Sequence, residues 1–247
     1  MAHSFSVHGK TVSVFPGTAP DAPAVYLNTF AGEIPQIVAQ LHGQELPDFS
    51  LVAVSDLDWN HDMVPWDQPP VFKNAVPCTG GADDYLRLLT ETILPLAEKE
   101  LAGVPRWRGL AGYSLAGLFA LYAMYRTDVF SRFASMSGSL WFPGFPEYIR
   151  THGLPRLPDC IYFSLGDKES KTRNPVLKNV RDNTEAIQAY YQHLGIRSVF
   201  RLYPGNHYNH AVQRTADGIA WLLEQPSASC GVTRLSQTDS QRPTASP

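Results

Sequence analysis

Between Arg108 and Arg126 the chain carries no charge and reads Gly-Leu-Ala-Gly-Tyr-Ser-Leu-Ala-Gly-Leu-Phe-Ala-Leu-Tyr-Ala-Met-Tyr. A run this apolar has to be buried. A membrane helix needs about 20 such residues, whereas this run is shorter and is interrupted by Gly109, Gly112 and Gly117. The pattern predicts a short buried strand over Leu110–Tyr113, then a helix over Leu115–Tyr125 that is apolar nearly all round and so covered on every side. At the junction lies Gly112-Tyr113-Ser114-Leu115-Ala116-Gly117. A strand turning sharply into a helix holds a serine in a strained conformation and demands tiny residues two positions either side of it. Gly112 and Ala116 occupy those positions, the alanine departing from the usual G-x-S-x-G pattern. Small residues also serve close packing, so an incidental serine in a core strand and helix competes with a mounted nucleophile.

The rest of the chain alternates in the same way. His8-Gly9-Lys10 between Phe5–Val7 and Thr11–Phe15 predicts an N-terminal antiparallel hairpin. Apolar runs over Ala24–Leu27 and Leu51–Val54 bracket a helix over Ile34–His42, a β-α-β unit. A helical period runs over Asp83–Leu101, with Pro95 as a kink. Strands over Phe133–Met136, Ile161–Leu165 and Ser198–Tyr203, with helices over Pro175–His193 and His210–Leu223, complete the series. The alternation predicts an α/β fold with a mostly parallel central sheet and helices on both faces. At 247 residues it fits one domain over residues 1–225, and the Ser-, Thr-, Gln- and Pro-rich residues 226–247 read as a disordered tail. The long loop over Asp56–Gly81, with Trp59 and Trp66, is expected to fold near a pocket.

A serine hydroxyl needs a histidine base and a carboxylate to orient it, and in open α/β sheets such residues follow the carboxyl ends of strands. After Ile161–Leu165 comes Gly166-Asp167-Lys168-Glu169-Ser170, and after Ser198–Tyr203 comes Pro204-Gly205-Asn206-His207. Serine, acid, histidine is the order of α/β-hydrolases. Either Asp167 or Glu169 can supply the acid.

Three segments, Ala111-Gly112-Tyr113-Ser114-Leu115-Ala116-Gly117-Leu118-Phe119-Ala120-Leu121-Tyr122, Leu165-Gly166-Asp167-Lys168-Glu169 and Pro204-Gly205-Asn206-His207, resemble the esterase D-like, enterochelin esterase-like family of α/β-hydrolases. That family includes enterochelin esterases, feruloyl esterases, S-formylglutathione hydrolases and mycolyltransferases. The resemblance, over Ala24–Leu223, implies the α/β-hydrolase fold and an acyl-ester reaction, without a particular acyl group. It implies Ser114 as nucleophile and His207 as base. Related members commonly carry the acid three residues after the glycine that ends its strand, which implies Glu169, with Asp167 in reserve. Hydrolysis of a small-molecule ester is then the leading expectation; acyl transfer to an alcohol, or a catalytically silent binding fold argued from Ala116, are the alternatives.

The oxyanion would be met by the backbone N–H of Leu115 and by one from the loop around Phe30 and Ala31. Trp59, Trp66, Tyr113, Trp141 and Phe142 are candidates for the pocket wall. Lys168, Lys171, Arg173 and Lys178 read as a solvated helix edge. Two groupings invite a metal reading: His207 with His210 lacks a nearby acidic third ligand, and Asp58 with His61 and Asp62, set among tryptophans and prolines, reads at least as well as a pocket wall, so neither metal nor cofactor is expected. A net charge of -3 gives no basic surface for nucleic acid, and no membrane partner is expected. Cys78, Cys160 and Cys230 are widely spaced without C-x-x-C, which with the lack of a secretory signal points to the cytoplasm.

Overall fold

The computed structural model describes residues 2–71 and 75–226. Apart from Pro226, the expected tail lies outside them. Strands β1 (His3–Val7) and β2 (Lys10–Phe15) form the antiparallel hairpin, and its turn places His8 and Gly9 at φ 48° and 75°, the positive pair that a tight two-residue turn demands. β3 (Ala24–Asn28), helix α1 (Ile34–His42) and β4 (Ser50–Ser55) follow. The long loop contains α2 (Trp59–Asp62) and a minimal hairpin of β5 (Asp67–Gln68) and β6 (Cys78–Thr79).

The predicted helix over Asp83–Leu101 is α3 (Ala82–Leu88), a wide π turn over Leu89–Ile93, and α4 (Leu94–Glu98). Pro95 has no N–H to give and its ring would crowd the preceding turn, and the widened turn lies directly before it. β7 (Arg108–Tyr113) leads into α5 (Leu115–Ala123). β8 (Arg132–Met136) precedes α6 (Phe145–Thr151), a short helix the apolar pattern does not reveal. β9 (Cys160–Gly166), α7 (Val180–His193), β10 (Arg197–Tyr203) and α8 (Ala211–Glu224) close the series.

The eight long strands form one sheet in the order β1-β2-β4-β3-β7-β8-β9-β10. Only the hairpin and its junction with β4 are antiparallel; the other pairings are parallel. Alternate side chains of each strand enter opposite layers. Val25 and Leu27 of β3 meet α1 and α8 through Ile37, Leu41, Ile219 and Leu222. Tyr26, with Val52 and Val54 of β4, joins the other layer, which includes Phe119 of α5, Phe145 of α6 and Tyr191 of α7. The residues of α5 from Ala116 to Ala123 are all buried, as its charge-free sequence requires. No described helix is long and apolar enough to cross a membrane.

Candidate active site

The site lies past the carboxyl ends of β7, β9 and β10. Ser114, between β7 and α5, has φ 58° and ψ -121°, a region costing a non-glycine residue about 1–3 kcal/mol. The bend presses Gly112 onto the first turn of α5: a Cβ there would lie 2.4 Å from the Ala116 carbonyl atoms and 2.6 Å from its methyl. Gly112 therefore has to be glycine, and because it is, the methyl of Ala116 has room. This accounts for the departure from G-x-S-x-G.

His207 follows β10 and Glu169 follows β9. The two loops touch, since a Cβ on Gly166 would come within 2.4 Å of the Gly205 carbonyl. Their approach brings His207 Nε2 to 3.0 Å from Ser114 Oγ and His207 Nδ1 to 2.8 Å from Glu169 Oε2. An ionised carboxylate only accepts hydrogen bonds, so Nδ1 carries the proton and Nε2 of the neutral ring is left to accept from the serine. Asp167, the reserve acid, points elsewhere: its carboxylate accepts the Gly205 N–H at 2.8 Å and its own N–H bonds to Tyr203 O. It braces the histidine loop without meeting the imidazole.

The two oxygens of Glu169 have separate partners. Oε2 faces His207, while Oε1 accepts from Ser137 Oγ at 2.8 Å, from the Gly166 N–H at 2.5 Å and from Arg214 Nη1 at 2.9 Å. Burial raises the carboxyl pKa, but the hydrogen bonds from His207 and Gly166, the charge interaction with His207 and the Ser137 hydroxyl outweigh it and hold the group below its ordinary value. Arg214 and Ser137 are absent from the sequence-based expectations. Arg214, on α8, is wholly buried; it also bonds Ser137 Oγ, the Tyr113 hydroxyl and Asn206 O. The signal for it is its helical register: Gly218 and Leu222, four and eight residues on, are buried too. Ser137, at the end of β8, takes φ 44°, strain at a position that aims its hydroxyl at Glu169.

Beside Ser114 opens a cleft of about 360 Å³, lined by Gln68 to Val71, by Ala75, Val76 and Cys78, by Ser139, Trp141 and Phe142, and by Leu177 and Val180. Asn60, Leu115, Glu169, His207 and Tyr208 complete it. Trp141 and Phe142 are thus where a pocket wall was expected, and three other candidates are not. Trp59 stacks on Phe30 with ring centroids 4.2 Å apart. Trp66 donates its indole N–H to Pro143 O and packs on Phe142 and Tyr148, anchoring the long loop to α6. Tyr113 works from behind, its hydroxyl donating to His207 O at 2.6 Å, and burial pushes its pKa up to about 12. All three rings bury large apolar area, which serves an anchor as well as a wall.

Leu115, directly after Ser114, opens α5. Phe30 and Ala31 lie at the turn after β3, where the Thr29 N–H is committed to Val54 O. The Phe30 side chain is exposed, and neither residue lines the cleft. The Asp58, His61 and Asp62 grouping is dispersed: Asp62 pairs with Lys10 and accepts the Asp58 N–H, and His61 Nδ1 bonds Thr79 Oγ1 at 2.8 Å.

An eight-stranded, mostly parallel sheet with a serine at the strand-to-helix bend and a histidine and carboxylate on later strand ends defines an α/β-hydrolase. A family model described as "Putative esterase" matches residues 32–211. The chain belongs to that family, and its class is esterase. It is 24% identical over 172 residues to the protein YbbA of Bacillus subtilis, covering 67% of this chain and 69% of that one. Its fold is similar to the siderophore hydrolase EstA of Aspergillus nidulans, at 19% identity and a TM-score of 0.74, covering 90% of this chain and 93% of that one. An IroE-like serine hydrolase of Shewanella oneidensis matches with the same identity and TM-score, covering 90% of this chain and 79% of that one.

Proposed function

We propose that the protein hydrolyses a small-molecule carboxylic ester through an acyl-enzyme, with Ser114 as nucleophile, His207 as base and Glu169 as the orienting acid. The observation that carries this reading is the unbroken hydrogen-bond chain from Ser114 Oγ through His207 to Glu169 Oε2. His207 Nε2 takes the hydroxyl proton as Oγ attacks the ester carbonyl, then returns it to the leaving alcohol. Water, activated by the same nitrogen, releases the acid and restores Ser114. Glu169 holds the ring in the required tautomer and stabilises the imidazolium formed on the way. The Leu115 N–H, at the open start of α5, and an N–H of the Phe30–Ala31 turn are the proposed oxyanion donors, each contributing about 3–4 kcal/mol.

Small-molecule esters as a class also agree with the names of structural neighbours, among them a hydrolase of enterobactin and salmochelin. Among the described residues Cys78 and Cys160 form no disulfide, which supports a reducing, cytoplasmic setting. Steady-state hydrolysis of p-nitrophenyl esters tests the assignment. Ser114→Ala or His207→Ala should lower kcat on the order of 10⁶-fold, and Glu169→Gln by about 10³-fold or more. Asp167→Asn, which leaves the imidazole's partner in place, should cost less than tenfold. A larger loss in Asp167→Asn than in Glu169→Gln overturns the acid assignment.

A further inference from the structure

We infer that the cleft selects esters of uncharged, apolar carboxylic acids and rejects acyl groups that carry a carboxylate of their own; this rests on the catalytic reading above. The apolar wall comes from three separate segments: Val71 and Val76 of the long loop, Trp141 and Phe142 after β8, and Leu177 and Val180 at the approach to α7. Among the described lining residues none is Lys or Arg, and the single carboxylate is Glu169. Arg214, behind Glu169, is wholly buried and bonded to Glu169, Ser137, Tyr113 and Asn206. Lys168, Lys171, Arg173 and Lys178 are exposed and line no part of the cleft. A second anion entering would leave water for an apolar surface with a like charge at its end and no described counter-ion, the costliest way to bury a charge. A methylene entering instead leaves water for carbon, which favours binding about fourfold per group.

The test compares aryl acetate, aryl hexanoate and the aryl monoester of adipic acid, which matches hexanoate in length and adds a terminal carboxylate. From acetate to hexanoate, kcat/KM should rise on the order of 100-fold, and the adipate monoester should fall at least 10-fold below hexanoate. Leu177→Arg, which sets a cation in the cleft wall, should raise the adipate-to-hexanoate ratio at least 10-fold. An adipate monoester turned over within 10-fold of hexanoate, or no gain from chain length, overturns the inference. Ser114→Ala measured beside each substrate separates the two claims: turnover that survives it defeats the catalytic reading, while turnover that needs Ser114 yet ignores acyl charge defeats only the acyl selectivity.

Discussion

Arg214→Met removes the buried cation beside Glu169 and keeps a side chain of similar reach. The guanidinium holds Oε1 of Glu169, the Tyr113 hydroxyl next to Ser114 and the Asn206 carbonyl next to His207, so it joins the three segments that carry Ser114, Glu169 and His207. A hydrogen bond to a charged group contributes about 1.5–3 kcal/mol. Glu169 keeps its bonds to Ser137, Gly166 and His207 in the variant, so the loss should stay near the value of that one bond, a fall in kcat of about 10- to 100-fold with KM little changed. Stability should drop by about 3 kcal/mol, because half of a buried ion pair is left behind. A double-mutant cycle with Glu169→Gln isolates the catalytic part. If Arg214 acts by holding Glu169, Arg214→Met costs less than about threefold once Glu169 is already Gln, and Arg214→Lys recovers part of kcat in the wild-type background. Equal losses in both backgrounds, or an unchanged kcat in folded Arg214→Met, would refute the reasoning.

Gly112→Ala should abolish ester turnover and cost at least about 1–3 kcal/mol, since its methyl has no room against Ala116; normal activity with an unchanged Tm contradicts the account of the bend. Ala116→Gly should keep kcat within about tenfold and lose about 1 kcal/mol through helix propensity, measured by thermal denaturation and p-nitrophenyl ester assay. Glu169 supplies an acid-sensitive share of stability. Its folded pKa lies below the ordinary 4.5, so the contribution is complete above that value and is lost as pH falls through the folded one. The Tm difference between wild type and Glu169→Gln should therefore shrink from about pH 6 to about pH 3, and a constant or growing difference counts against the carboxylate's proposed network.

The sheet and the serine bend are legible in the sequence because burial there is set by local pattern. A charge-free run around Ser114 has few ways to be hidden, and strand ends followed by Gly166-Asp167-Lys168-Glu169 and Pro204-Gly205-Asn206-His207 announce where polar groups must emerge. The choice between Asp167 and Glu169 is a matter of direction two residues apart; the structure turns Glu169 toward His207 and Asp167 toward the Gly205 amide. Arg214 escapes because an arginine on an amphipathic helix usually marks its wet face, and only the partners brought by three distant loops make its burial tolerable. Trp59 and Trp66 mislead for the complementary reason: an aromatic ring declares that it will be covered, not by what. α6 hides behind Pro143, Gly144 and Pro146, residues that locally read as loop.

The central claim is that Ser114 becomes acylated with His207 and Glu169 behind it. Intact-mass analysis with peptide mapping after treatment with a fluorophosphonate tests it most directly. The account predicts one adduct, on the peptide containing Ser114, formed far more slowly in His207→Ala and absent in Ser114→Ala. Folded wild-type protein that takes no adduct, or takes it on a different residue, would contradict it.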